Sequence, residues 1–258
     1  MDIDEVDIRD SVSVNDAVER VRPRIVFNTA AMTDVDGCES APEEAFKVNA
    51  LGAETAALAC RRQGALLVHL STDYVFDGAS RTPYSEQDAL NPLGVYGRSK
   101  AEGELAVRAA LPSDHLIVRT QWLFGSDGRN FVESIIGQAA NKRLLRVVSD
   151  QFGSPTCTLD LSSALIALCA QGARGVFHAT NSGVVSWHGF ACTIVELAGV
   201  EGVRVEPIGS AELGRPAPRP AYSALDNSKF ARVAGSPLRR WEEALRHYLR
   251  RRSELKAL

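Results

Sequence analysis

Short apolar runs alternate with longer segments of helical composition along most of the chain. Ile25, Val26 and Phe27 form one run, which ends at Asn28, Thr29, Ala30 and Ala31. Residues 42–63 have helical composition and stop at Gly64, the residue type best able to close a helix in the left-handed conformation. Residues 66–70 (LLVHL) form a second run, ending at Ser71, Thr72 and Asp73. A loop carrying Pro83 and Pro92 leads into a predicted helix over 96–110. A strand over 115–120, a helix over 130–141 and a strand over 146–148 follow. Continuous apolar strands separated by helices predict a parallel sheet covered on both faces. Ligands of such sheets bind beyond the carboxyl ends of the strands. Residues 29–31 and 71–73 fall at such ends.

The last third is more mixed. Residues 159–169 and 186–198 read as helices, and 176–179 and 203–207 as short strands. Residues 215–220 are a loop rich in Pro and Arg. Ser236 as cap and Pro237 in the first turn predict a closing helix, with Trp241, Ala244, Leu245, Tyr248 and Leu249 as its apolar stripe.

Composition bounds the picture without changing it. The chain has 258 residues, 45% hydrophobic and 24% charged, as in ordinary globular proteins. A formal net charge of −3 gives no sign of a nucleic-acid partner. No apolar run is long enough to span a bilayer, and the acidic opening MDIDEVDIRD is unlike a signal peptide. Cys38, Cys60, Cys157, Cys169 and Cys192 are odd in number, with no pair spaced C-x-x-C. That argues against disulfides and zinc, and for a cytoplasmic location. Cys60, Cys169 and Cys192 read as small buried residues. His69, His115, His178, His188 and His247 show no metal-ligand spacing.

Tyr96 and Lys100 lie four apart on one helix face. A free tyrosine has a pKa of about 10, and a nearby ammonium is expected to lower it by about 1–3 units, toward the range useful for acid–base catalysis. Alone, the pair is a weak signal that reads first as a surface contact. Thr72, at the preceding strand end, makes a shared cleft the stronger reading.

Eight stretches extend the pattern: VDIRD (6–10), NTAAMTDVDGCE (28–39), VNALGA (48–53), HLSTDYVFDG (69–78), NPLGVYGRSKAEGE (91–104), VRTQWLFG (118–125), DQFGSPT (150–156) and RPAYSALDNSKF (219–230). Through them the chain resembles the extended short-chain dehydrogenases, and among these the dTDP-4-dehydrorhamnose reductases. The resemblance implies a Rossmann-like, doubly wound α/β fold. Residues 1–150 would be the NAD(P)-binding domain and 151–258 mainly the substrate-binding part, with the chain crossing between them. It implies NADPH- or NADH-dependent reduction of the 4-keto group of dTDP-4-dehydro-L-rhamnose to dTDP-L-rhamnose. Tyr96 would protonate the carbonyl oxygen, Thr72 would hydrogen-bond it and Lys100 would hold the nicotinamide ribose. Thr72, Asp73 and Trp122 would contact substrate, although Trp122 alone also reads as a core aromatic. Asp7 and Ile8 would flank the adenine end, and Ala30, Ala31 and Thr33 would pass under the cofactor. Arg219 could meet a phosphate. Tyr74 stands where related dehydratases carry a Glu, which favours simple reduction. A different reductase or epimerase of the same family, and a non-catalytic subunit like the beta subunit of methionine adenosyltransferase, are the alternative functions. The resemblance also allows a homodimer, and magnesium at a dimer contact for which no residue offers a site.

The family opens with a strand, a Gly-rich turn and a helix that cradle the pyrophosphate. No G-x-G-x-x-G or G-x-x-G-x-x-G occurs in this sequence. Roughly thirty residues of the family plan are therefore expected to be missing, through a start placed too late or a real truncation. The intact catalytic residues favour the former. The strand at Ile25 is expected to lose a neighbour and expose an apolar edge. The 258-residue chain is expected to bind NADPH weakly or not at all.

Overall fold

The computed structural model describes residues 4–256. In chain order the strands are β1 (Ile25–Asn28), β2 (Leu66–Thr72), β3 (His115–Thr120), β4 (Leu123–Phe124), β5 (Leu144–Val148), β6 (Phe152–Gly153), β7 (Thr156–Cys157), β8 (Gly175–His178), β9 (Val185–Ser186) and β10 (Arg204–Ile208). The helices are α1 (Ser11–Val21), α2 (Val35–Ser40), α3 (Pro42–Phe46), α4 (Gly52–Gln63), α5 (Val95–Ala110), α6 (Phe131–Ala139), α7 (Thr158–Ala170), α8 (Trp187–Leu197), α9 (Ser210–Leu213), α10 (Ser228–Ala234) and α11 (Trp241–Lys256).

Four parallel strands form the main sheet in the order β1-β2-β3-β8. The alternation of side chains across a strand decides which helices cover which face. Leu66, Val68, Leu116, Val118 and Phe177 point to one face, under α7 and α10. Leu67 and Ile117 point to the other, under the small-residue faces of α4 and α5. Both faces are covered, as the apolar runs predict. The smaller part pairs β5 with β10 in parallel and packs them against α6, α8 and α11. The stripe Trp241, Ala244, Leu245, Tyr248 and Leu249 lies wholly in that core. The chain crosses between the parts: β5 precedes residue 150 yet sits in the smaller one, while α7 and β8 follow it and complete the main sheet.

Among the described residues β1 has a strand neighbour on one side only. Ile25 and Phe27 are 37% and 46% exposed, and they border a cavity of about 300 Å³ with Val6, Ile8, Val14 and Val18. This is the apolar edge expected of an unpaired strand.

Two elements and two cysteines depart from expectation. The helix over 42–63 is interrupted by a π turn at Lys47–Leu51, and Gly64 closes it with φ 70°. The last helix begins at Trp241, not near Ser236. The Ser182 backbone exchanges hydrogen bonds with Arg239 and Trp241, and the Ser182 hydroxyl donates to the Leu238 carbonyl, so this segment is held extended. Cys60 is buried as expected, but Cys169 and Cys192 are only half-buried.

Candidate active site

The site forms where β1, β2 and β3 end beside the first turns of α5. Gly97 lets α5 approach the turn after β2, because a Cβ there would press into the Tyr74 carbonyl. The Val95 amide, an unpaired donor at the helix start, is taken by the Glu39 carboxylate at 2.7 Å. These contacts place Tyr96 and Lys100 over the sheet end. Ala31, Thr33, Thr72, Asp73, Tyr96, Lys100 and Trp122 border one cavity of about 420 Å³, together with Tyr74, Thr120 and Trp187. Ala30 and Ile8 border the neighbouring cavity along β1, and Thr29 reaches both. Asp7 borders neither. Its carboxylate pairs with Arg9 at 2.7 Å, which holds its pKa down at about 2.

The expected ammonium–phenol pairing is absent. Lys100 Nζ donates instead to the Leu70 carbonyl at 2.7 Å. Burial therefore decides the Tyr96 phenol and pushes its pKa up rather than down, with the Thr72 hydroxyl working against that rise. Burial also lowers the Lys100 pKa to about 8, and the Glu104 charge opposes the fall. Glu104 lies one turn further along α5 in a buried ion pair with Arg119, at 2.7 Å.

Asp73 is almost fully buried. Its carboxylate accepts from the Thr72 hydroxyl at 3.0 Å and from the Ser223 hydroxyl. Burial raises its pKa to about 6 in spite of those bonds. Thr72 Oγ1 also accepts the Tyr74 amide at 3.2 Å, so both neighbours fix its rotamer. Asn49, in the π turn, binds both backbone groups of Met32 and donates to Ser99 Oγ at 2.9 Å. Ser99 donates in turn to the Tyr96 carbonyl.

Trp122 holds φ 49°, a left-handed backbone rare for a bulky residue. Its ring stacks on Trp187 with centroids 3.6 Å apart. Trp187, Ser223 and Asn49 were not singled out from the sequence. Only Trp187 had a usable signal, as a large aromatic directly after the helix-capping Ser186. A second cavity of about 360 Å³ shares Tyr74 and Trp187 with the first and is bordered by Arg146, Arg215 and Arg219.

The residues present fit the nicotinamide half of a dinucleotide. Ala30 and Ala31 leave room for close approach, Lys100 supplies donors, and the buried Thr120 hydroxyl has no protein partner. Among the described residues no group of three or more His, Cys, Asp or Glu side chains could hold a metal ion. No described helix is long and apolar enough to cross a membrane.

The chain is 44% identical over 245 residues to a dTDP-4-dehydrorhamnose reductase of Streptomyces griseus, covering 93% of this chain and 81% of that protein. The crystal structure of a dTDP-4-dehydrorhamnose reductase from Clostridium acetobutylicum superposes with a TM-score of 0.93 at 39% identity, over 100% of this chain and 90% of that one. The Bacillus anthracis dTDP-4-dehydrorhamnose reductase, solved in complex with NADP, gives 0.94 at 36% identity, over 97% and 89% of the two chains. The family model described as the RmlD substrate binding domain matches residues 1–254, and the chain belongs to that family.

Proposed function

We propose that the protein is an NAD(P)H-dependent reductase that converts the 4-keto group of dTDP-4-dehydro-L-rhamnose to the alcohol of dTDP-L-rhamnose. The carrying observation is the single cavity at the strand ends that holds Tyr96, Thr72 and Lys100 with a non-acidic Tyr74 beside them. Relatives named for this reaction, similar over most of the chain, support the same reading.

A bound nicotinamide supplies the hydride. Tyr96, whose raised pKa keeps it protonated at neutral pH, donates its phenolic proton to the substrate's carbonyl oxygen. Thr72, its rotamer fixed by Asp73 and Tyr74, hydrogen-bonds the same oxygen. Lys100, one helical turn away, holds the cofactor ribose. Ala30, Ala31 and Thr33 form the wall beneath the cofactor, and Ile8 and Asp7 lie toward its adenine end. Trp122, backed by Trp187, packs against the sugar. The adjoining cavity, with Arg215 and Arg219, takes the nucleoside diphosphate. In this division residues 1–150 mainly serve the cofactor and 151–258 mainly the substrate.

Incubation with dTDP-4-dehydro-L-rhamnose and NADPH, supplied in large excess to offset the weak binding expected of this chain, tests the proposal. NADPH should be consumed one for one with dTDP-L-rhamnose, identified by NMR. Ketosugar turnover without net NADPH consumption would instead indicate an epimerase and refute reduction.

A further inference from the structure

Arg215 and Arg219 reach their cavity from a loop 179 and 183 residues away in sequence from the side chain that organises them. That side chain is Asp36, on the short helix α2. One carboxylate oxygen, Oδ2, accepts from Arg215 Nη1 at 3.1 Å and from Arg219 Nη2 at 3.0 Å. The other, Oδ1, accepts the Ala217 amide at 3.1 Å, so both guanidinium groups and the backbone between them hang on one carboxylate. Arg219 Nη1 donates to the Ala217 carbonyl at 2.8 Å, which curls the loop onto itself.

Two guanidinium groups this close repel each other unless an anion stands between them. Asp36 supplies the anion, and the Arg219 hydrogen bond holds its pKa below the ordinary carboxylate value. The contact leaves donors unspent. Arg215 Nε and Nη2 and Arg219 Nε have no protein partner among the described residues, and both arginines border the cavity. Val35, the neighbour of Asp36 on α2, borders the catalytic cavity. Pro218 packs near Gly94, the cap of α5.

We propose that Asp36 is a positioning residue for the diphosphate of the nucleotide sugar: it holds Arg215 and Arg219 side by side with free donors aimed at the ligand. This rests on the reading that the cavity takes a nucleoside diphosphate. Asp36 does not touch the reacting atoms, so it acts on binding and leaves the chemical step alone. Arg219 is the better fixed of the pair, at 17% side-chain exposure against 57% for Arg215.

Calorimetric titration with dTDP, using thymidine as the uncharged control, tests this. Asp36→Asn should weaken dTDP about tenfold, leave thymidine binding unchanged, and raise KM for the ketosugar with kcat preserved. Arg215→Gln, at a position with a largely exposed side chain, should weaken dTDP in the wild-type background. It should have little further effect on top of Asp36→Asn. Asp36→Glu, which keeps the charge, should restore part of the loss. If folded Asp36→Asn binds dTDP as the wild type does, or if the two substitutions simply add, the positioning role is wrong. If the wild type itself binds no dTDP, the substrate reading fails and takes this role with it.

Discussion

Glu104→Gln removes one charge and almost no volume from the interior. Glu104 and Arg119 side chains are 1% and 2% exposed. The carboxylate accepts from Arg119 Nε at 2.9 Å, from Arg119 Nη2 at 2.7 Å and from the Ser71 hydroxyl. A glutamine keeps one acceptor and turns an N–H toward a guanidinium that has only donors. The remaining polar partner of Arg119 is His178 Nε2 at 3.3 Å, on a ring kept neutral because burial lowers its pKa to about 3. Stranding a buried cation in this way costs about 3–5 kcal/mol. For a chain of this size that is a fall in Tm of about 10 °C. Urea unfolding at unchanged m-value measures it directly. Glu104→Leu combined with Arg119→Met removes both charges and should recover all but about 1–2 kcal/mol, the residue reflecting the unpaired Ser71 and His178 groups. Both variants should also lower the Lys100 pKa below its value of about 8, since Glu104 is the charge that opposes its desolvation. A single-variant loss under about 1 kcal/mol, or a double variant no more stable than the single, would refute the reasoning.

Tyr96→Phe keeps the ring contact with Tyr74 at 5.5 Å but loses the proton, so kcat should fall about 10²–10⁴-fold with stability nearly unchanged; more than a tenth of wild-type turnover would remove Tyr96 from proton transfer. Asp73 has a folded pKa of about 6 against 3.8 unfolded, so between these values the folded state binds more protons and stability falls as pH rises. The fall should reach about 3 kcal/mol and vanish in Asp73→Asn, as read from urea midpoints across that range. Gly103→Ala should cost about 1–3 kcal/mol because its Cβ would press into the Asn49 carbonyl, a backbone atom. Gly137→Ala, exposed on α6 with open space around it, should instead stabilise by about 0.5–1 kcal/mol, and thermal melts distinguish the two.

Three strands of the main sheet were legible from the apolar runs at 25–27, 66–68 and 116–118, whereas β8 reads from the sequence only as a short strand of the mixed last third. Helix α1 was also within reach but was not assigned: Asp10 caps it, and Val14 and Ala17 are its buried positions. The pair Tyr96 and Lys100 was legible because four-residue spacing on a helix fixes a shared face. What the two groups do to each other was not, because the Leu70 carbonyl and the burial of the phenol come from elements distant in sequence. The Asp36 contacts are hidden for the same reason. The start of α11 was misplaced because Ser236 and Pro237 are good local signals overruled by pairing with Ser182. Nothing local in VNALGA distinguishes a π turn from an α turn; Gly103 packed against the Asn49 carbonyl goes with it.

The π turn at Lys47–Leu51 constrains chain length rather than composition. A π turn carries about one residue more than the α turn it replaces. Deleting one residue there would let the turn relax to ordinary α geometry with α4 still in phase, so Ala53, Ala57 and Cys60 would keep their cover of the sheet. The bulge that carries Asn49 would be lost, and Asn49 could no longer hold both Met32 and Ser99. A deletion in this segment would therefore spare the helix and loosen the active site.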